Sequence, residues 1–445
     1  MASPLRFIGF ATLVLSALAS GACASESEDA EDDVVTVLPN VVRYPTSRLQ
    51  SPITAAMVAR WQDIAARAPG RKSDIFSKIG DSQTVNAAFM HCFSKSGVDY
   101  GDHTDRITTP SGTLDLPDTV KFFLRSDRGK MTFDRESLSA KVGARTSFAL
   151  GGPLTTEVDA TNARFALVLY GGNDIMDAPS GGITTYAKNM FKIVDTLLAR
   201  GVIPIMSTNV PKPIRQADIA SFGPKGADPW VPRYAAISRG IAQARQVPLI
   251  DLEKSLRTIP GFGVGSDDLH LYAVGGGCKF TDEGLKGGVN VRNMLSLDAL
   301  HRTRIAFSNK QGLDTGATLS GSGTKANPYI VDDLTFTDFQ STLTSAEPSS
   351  FGSYRCGSVT KTGAGKERVY KLKVTDSRKI RAAVYSQGKA DLDVYVLRER
   401  DKTCLGRSDK DVTLTYEPGN YLIVVDSESA TNGGEYLLTL NEERD

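Results

Sequence analysis

The chain has 445 residues, a length typical of two or three domains. Hydrophobic residues make up 40% of it and charged residues 23%, as in ordinary globular proteins, which excludes global disorder and a protein with many membrane spans. Lys and Arg number 52 against 51 Asp and Glu, so the net charge of +1 gives no electrostatic footprint for nucleic acid.

The N-terminal segment has the pattern of an export signal. Arg6 precedes the apolar run 7–19, which is too short for a membrane-spanning helix, and small residues follow it. Two processing routes stay open: cleavage after Ala24, or a bacterial lipobox that would acylate Cys23 and provide the only membrane attachment. Residues 1–23 are predicted to be a signal peptide, and both routes predict an exported protein that is extracellular, periplasmic or lipid-anchored at the outer surface.

The rest of the chain divides by composition. Residues 24–45 begin with the run 25–33, whose six acids and no base favour a solvated linker. Residues 46–315 alternate between helical and strand patterns. A linker rich in Gly, Ser and Thr follows at 316–330, and short strand patterns dominate 331–445.

The alternation in the first domain predicts an α/β fold with a mostly parallel sheet. The continuous apolar run 165–170 is typical of a strand that is buried on both faces. A helix is predicted to open at Ser51-Pro52, with Pro in its first turn. The other predicted strands and helices are, in chain order, strand 75–79, helix 84–93, strand 120–124, helix 183–200, strand 202–206, helix 230–246, strand 247–251 and an amphipathic surface helix over 291–304.

The second domain is predicted to be a β-sandwich, because short strands recur between turn signals. Asp391, Asp393 and Asp426 are interpreted as carboxylates of turns or sheet edges rather than as a calcium site. The predicted strands are 369–374, 391–396, 421–425 and 436–440.

The cysteines indicate two local disulfide bonds. Cys92 and Cys278 fall in the first domain, and Cys356 and Cys404 fall in the second. Disulfides persist in exported proteins, so pairing within each domain is expected.

Ser82 is the candidate nucleophile. It follows the predicted strand 75–79 in the sequence Gly80-Asp81-Ser82, where the chain turns toward a helical run. A serine at such a turn stands at the carboxyl edge of the sheet, and its backbone N–H lies near a helix N-terminus, where negative charge is favoured.

Two histidines are candidate bases for this serine. His270 and His301 each have an aspartate three residues earlier, Asp267 and Asp298, which could orient the imidazole. His270 lies in a glycine-bounded loop that can reach a sheet edge, whereas His301 lies within the predicted helix, so His270 is preferred and His301 with Asp298 stays open as the alternative pair. No spacing of Cys and His indicates zinc, and neither a metal nor a cofactor is predicted.

Two further segments contain donors for an oxyanion. Asn173 comes just after the buried strand 165–170, so its side-chain amide is expected at the same sheet edge. Gly143 would let its backbone N–H approach a substrate oxygen closely.

Four segments in this order, within residues 70–305, resemble the four blocks of the SGNH (GDSL-type) hydrolases: Gly80-Asp81-Ser82, Gly143, Gly171-x-Asn173-Asp174 and Asp267-x-x-His270. The resemblance implies a three-layer, flavodoxin-like α/β fold with a mostly parallel sheet. It also implies that Ser82 is the nucleophile, His270 the general base and Asp267 its orienting partner. The oxyanion hole would then be formed by the Ser82 N–H, the Gly143 N–H and the Asn173 amide.

The second domain resembles the bacterial pre-peptidase C-terminal (PPC) type of β-sandwich. The resemblance implies an accessory module with a possible polymer or cell-surface ligand, and it carries over no catalytic residue. It rests on Asp391-Leu-Asp393-Val-Tyr395-Val, Pro418-Gly419-Asn420-Tyr421, Val424-Val425-Asp426 and Gly434-x-Tyr436-x-Leu438.

These features together predict an exported serine esterase. Its substrate would be a small acyl ester, a lipid or an acylated carbohydrate. Two alternatives stay open: a carbohydrate or polysaccharide O-deacetylase with the same triad, and a surface binding protein without catalytic activity.

Overall fold

The structure is a computed structural model, and the part of the chain that it describes lies within one compact unit, Thr36–Asp445. The predicted signal peptide, Cys23 and most of the acidic linker lie outside the described residues. The described residues are 37–95, 97–101, 116–127, 130–344, 351–362, 365–427, 429 and 431–443.

Within those ranges, no helix has both the length and the apolar character that crossing a membrane requires.

The first part of the fold contains a four-stranded parallel sheet with the order β1-β4-β5-β6. Every residue of its strand Ala163–Leu169 is buried, as the apolar run predicted. The strands of this part are β1 Lys72–Gly80, β2 Ser126–Asp127, β3 Lys130–Met131, β4 Ala163–Leu169, β5 Ile203–Ser207 and β6 Leu249–Ile250.

Helices cover both faces of this sheet, which confirms the predicted α/β class. Helices α1 and α3 pack against α10 on one face, and α4, α6 and α8 form a second packed group. The helices are α1 Ala55–Ala66, α2 Ser82–Val85, α3 Leu116–Phe123, α4 Thr146–Leu150, α5 Pro153–Thr161, α6 Gly182–Ala199, α7 Gln216–Phe222, α8 Val231–Arg245, α9 Leu252–Leu256 and α10 Gly288–Asn309.

Besides the prediction for α10, three local predictions in this part were wrong. Residues 120–123 belong to α3 and no strand covers 120–124, because Leu116, Thr119 and Phe123 are buried at helical spacing. Helix α1 begins at Ala55, after Ser51-Pro52, because the Thr54 hydroxyl caps it by accepting from the Met57 N–H. The predicted helix 84–93 is instead the four-residue α2 and a short 3₁₀ turn at His91–Ser94.

The helix predicted over 291–304 is present as part of α10, but the prediction that it lies on the surface was wrong. Every residue from Gly288 to Arg304 is buried, so this stretch of the helix has no solvent-exposed face. Its charged residues have partners in distant segments; Arg302, for example, donates to an Asp314 carboxylate oxygen at 2.5 Å. A charged residue in a periodic pattern therefore did not mark a solvent face here.

The C-terminal part is all β, as predicted, with two sheets packed face to face. One has the order β14-β13-β16-β11-β7 and the other β15-β12-β17-β8, with an apolar core between them. The strands are β7 Tyr329–Val331, β8 Phe336–Ser341, β9 Ser353–Cys356, β10 Val359–Thr362, β11 Glu367–Val374, β12 Arg378–Ser386, β13 Leu392–Arg398, β14 Cys404–Ser408, β15 Asp411–Tyr416, β16 Gly419–Ser427 and β17 Glu435–Glu442.

Both predicted disulfide pairings are confirmed. Cys92 is bonded to Cys278 in the α/β part, and Cys356 is bonded to Cys404 in the sandwich. The second bond ties the β9–β10 hairpin to β14 of the five-stranded sheet.

The sandwich packs directly on helix α8. Strands β8 and β17 contact this helix, and an added Cβ at Gly240 would lie 2.5 Å from Leu437. The Gln243 side chain donates to the Thr337 carbonyl at 2.8 Å. This contact explains why α8 is buried on all sides.

Three buried carboxylates lie side by side in the five-stranded sheet. Asp426 on β16 pairs in register with Glu367 on β11 and with Asp393 on β13. All three are buried, so they are interior strand residues, and the interpretation of Asp393 and Asp426 as turn or edge carboxylates was wrong. Burial and the neighbouring Glu367 raise the pKa of Asp426 to about 8.

This pKa predicts that the sandwich loses stability as the pH rises from about 4 to about 8. In that window the unfolded chain has released the Asp426 proton while the folded chain still holds it, so the free energy of unfolding falls by at most about 1.4 kcal/mol per pH unit from this group. Asp426→Asn should flatten the slope, and the exposed Asp391→Asn should not. Urea midpoints of the full chain across the window measure both; an unchanged slope in Asp426→Asn would contradict the assignment.

Candidate active site

Ser82 is the first residue of α2 and lies two residues beyond the carboxyl end of β1. The turn is tight: an added Cβ at Gly80 would stand 2.4 Å from the Leu169 carbonyl oxygen. The Asp81 carboxylate caps α2 by accepting from the Gln83 N–H at 3.0 Å. As the first residue of a helix, Ser82 has a backbone N–H without a partner inside that helix, so it can point at a developing anion.

His270 is hydrogen-bonded to Ser82. The serine hydroxyl lies 2.9 Å from the His270 Nε2 atom. On the other side of the ring, Nδ1 lies 2.6 Å from an Asp267 carboxylate oxygen. A carboxylate can only accept, so the Nδ1–H donates to Asp267 and Nε2 is left to accept from the serine. This is the tautomer that a general base needs.

Asp267 is held in its ionised form by its own loop. Its Oδ1 atom accepts from the Leu269 and His270 N–H groups at 3.0 and 2.9 Å. The His270 backbone hydrogen bond is the largest cause that lowers the pKa of Asp267 to about 2. The carboxylate therefore stays charged at neutral pH, and the exposure of 51% of its side chain to solvent also favours the charged form.

The alternative pair lies elsewhere. His301 is buried in α10, and its Nδ1 lies 2.6 Å from the Thr119 hydroxyl. Asp298 accepts from the Gln50 amide, and burial raises its pKa to about 7. The structure thus brings His270, and not His301, to Ser82.

Gly143 stands at the same edge of the sheet as Ser82. Residues 139–141 run parallel to the end of β1, with a bridge between Ala140 and Gly80 and a hydrogen bond from the Gly80 N–H to the Ser139 carbonyl at 3.0 Å. Gly143 has a φ of +73°, a conformation that favours glycine. This conformation turns the chain just beyond the sheet edge.

The segment that follows β4 is hydrogen-bonded to the segment that contains Gly143. The Asn173 amide donates to the Ala144 carbonyl at 3.0 Å, which uses one of its two hydrogens. Asp174 accepts from the Thr146 N–H and from its hydroxyl at 3.0 and 2.6 Å. The two candidate oxyanion donors, Gly143 and Asn173, therefore belong to one hydrogen-bonded unit.

Two residues of this site were missed by the sequence analysis. The Gln83 side chain bonds to the chain on both sides of His270, and Arg292 of α10 donates to the Gln83 carbonyl at 2.6 Å. Both are buried. Neither lies in a recognisable motif, so only the position of Gln83 directly after Ser82 could have drawn attention to it.

Among the residues that the structure describes, no group of three or more His, Cys, Asp or Glu side chains is arranged to hold a metal ion.

A serine, a histidine and an aspartate joined in this way at the carboxyl edge of a parallel sheet is the arrangement that serine hydrolases use. No family model and no curated protein matches the chain. Solved structures do resemble it. A lipase/acylhydrolase from Enterococcus faecalis aligns over 53% of this chain and 95% of its own length, at 14% identity and a TM-score of 0.32.

Two other solved structures also align with parts of this chain. A catalytic mutant of an acetylxylan esterase from Geobacillus stearothermophilus aligns over 52% of this chain and 94% of its own, at 13% identity and a TM-score of 0.30. The pre-peptidase C-terminal domain of a collagenase from Bacillus anthracis aligns over 24% of this chain and 90% of its own, at 17% identity and a TM-score of 0.18. TM-scores of this size carry no argument about the chemistry of this chain, which has to be inferred from its own residues.

Proposed function

We propose that this protein is an exported serine esterase that hydrolyses carboxylic esters. The observation that supports it is the unbroken chain of hydrogen bonds from Asp267 through His270 to Ser82, with distances of 2.6 and 2.9 Å. These distances fall within the reach that proton transfer to a general base requires. The two disulfides are in keeping with an exported protein.

The reaction would proceed by acyl transfer. His270 takes the Ser82 proton as the serine oxygen attacks the ester carbonyl, and Asp267 stabilises the imidazolium that forms. The Ser82 and Gly143 N–H groups and the free hydrogen of the Asn173 amide stabilise the oxyanion. His270 then gives its proton to the leaving alcohol, and the same base activates the water that releases the acid from Ser82.

A fluorophosphonate probe tests this proposal directly. The probe reacts covalently with an activated serine, so we expect one modified residue, Ser82, when the labelled protein is digested and mapped by mass spectrometry. Heat-unfolded protein is the control and should not be labelled, because the hydroxyl is activated only in the folded site. No labelling of the folded protein would instead support the alternative of a binding protein without catalytic activity.

Deacetylation of a carbohydrate polymer is the second candidate. It is favoured by the open position of the base, since the His270 side chain is 35% exposed and that of Asp267 51%. A bulky acetylated sugar chain can approach such a site from outside. Comparing kcat/KM for acetylated xylo-oligosaccharides and for p-nitrophenyl esters of increasing chain length separates the two activities.

A further inference from the structure

We propose that Gln83 is a positioning residue that docks the loop of His270 onto the helix of Ser82. The inference rests on the proposed function, because it concerns how the base is held against the nucleophile. Gln83 is adjacent to Ser82 in the chain and is buried. Its side chain reaches a segment that lies 186 positions further along.

The Gln83 amide forms a two-point contact around His270. Its Nε2 donates to the Leu269 carbonyl at 2.9 Å, and its Oε1 accepts from the Leu271 N–H at 3.2 Å. An amide side chain carries a donor and an acceptor side by side, so it matches the backbone groups of the two residues that flank the histidine. Both hydrogen bonds together fix the position and the rotation of this backbone relative to α2.

The loop of His270 is internally ordered, but its own bonds do not place it against Ser82. The His270 carbonyl accepts from the Gly265 N–H at 2.8 Å, and Val264 pairs with Leu271. Asp267 adds its contacts to the same turn. These bonds make residues 264–271 one unit, which leaves its docking onto α2 to contacts between the two segments.

Within the described residues, four hydrogen bonds join residues 82–86 to residues 264–271. One is the bond between Ser82 and His270, two are made by the Gln83 amide, and the fourth runs from the Asn86 amide to the Leu271 carbonyl at 3.3 Å. Gln83 therefore supplies half of the connections and the two that flank the base.

The other end of Gln83 is also fixed. Its N–H donates to the Asp81 carboxylate at 3.0 Å, and its carbonyl accepts from Arg292 at 2.6 Å. The backbone that holds the Gln83 side chain is thus the same segment of α2 that positions Ser82. A shift of α2 moves Ser82 and the loop of His270 together, so the distance between the serine oxygen and the imidazole stays the same.

The test is Gln83→Leu, which keeps the volume and removes both hydrogen bonds. We expect kcat for p-nitrophenyl acetate to fall about 10- to 100-fold, because a misplacement of about 1 Å between reacting groups has an effect of that size. KM should change little, since Gln83 does not touch the substrate. The rate of labelling by a fluorophosphonate should fall in parallel. Gln62→Leu is the matched control: Gln62 lies on α1, and the variant loses one hydrogen bond to the Phe307 carbonyl of α10 and should keep its kcat.

A second pair of variants separates positioning from general stability. If Gln83 acts through the base, Gln83→Leu should cause no further loss of kcat in a His270→Ala background, whereas an equal loss there would overturn the inference. Gln83→Glu provides a variant of the same shape if Gln83→Leu fails to fold. It keeps the acceptor for Leu271 but places a carboxylate oxygen, which cannot donate, against the Leu269 carbonyl, so its kcat should fall as well and a wild-type kcat would overturn the inference.

The two proposals fail in different ways. Full activity in Ser82→Ala would remove the esterase mechanism and the role of Gln83 with it. An inactive Ser82→Ala together with a wild-type kcat in Gln83→Leu would overturn only the positioning role.

Discussion

Ser82→Ala should lower kcat for p-nitrophenyl acetate by about 10⁴-fold or more, leaving only the small residual rate that the oxyanion donors and substrate binding provide. The hydroxyl that lies 2.9 Å from the His270 Nε2 is the only protein group in the proposed mechanism that forms a bond to the acyl carbon. Without it, the oxyanion donors can still bind the ester, but no covalent intermediate forms. Steady-state rates and the release of the first equivalent of p-nitrophenol measure the two steps separately.

Ser77→Ala is the matched control for this loss. Ser77 lies on β1, the strand that precedes Ser82, and its buried hydroxyl lies 2.8 Å from the Thr161 hydroxyl. Removing it should cost stability and leave kcat near the wild-type value. Activity that survives in Ser82→Ala would refute the mechanism, whatever the control shows.

The parts of the site that the sequence could predict are those fixed by the order of the strands. Ser82 and Asn173 each follow a strand whose apolar pattern is readable, and the carboxyl ends of parallel strands meet at one edge, so their convergence follows from the sheet. Asp267 lies three residues before His270, close enough to orient it within one turn of the chain. The contacts that complete the site do not follow from such patterns.

Two features show why these contacts could not be predicted from the sequence: the burial of α10, and the two hydrogen bonds of the Gln83 amide to Leu269 and Leu271. Arg292 is charged, which in a helical pattern favours solvent, yet it is buried because the Gln83 carbonyl and the Thr84 hydroxyl, over 200 residues away, accept its hydrogen bonds. The role of Gln83 cannot be read from the sequence for the same reason, because the partners of its side chain, Leu269 and Leu271, lie in a distant segment. Partners that are brought together only by the completed fold leave no periodic trace in the sequence.

His270→Ala should lower kcat by about as much as Ser82→Ala, since the two groups act as one unit. His301→Ala should keep the kcat of the folded enzyme. Its imidazole is buried in α10 against Thr119, so its removal should lower the thermal midpoint. Activities must therefore be compared at a temperature at which circular dichroism shows each variant to be folded.

Chemical rescue makes this comparison stricter. The His270 side chain is about one-third exposed, so free imidazole can enter the space that His270→Ala leaves and accept the Ser82 proton. We expect added imidazole to restore part of the activity of His270→Ala and none in Ser82→Ala, because no external base replaces the missing oxygen. A loss confined to His301→Ala would move the base to His301 and Asp298, and would show that the hydrogen bond between Ser82 and His270 is not the one used in the reaction.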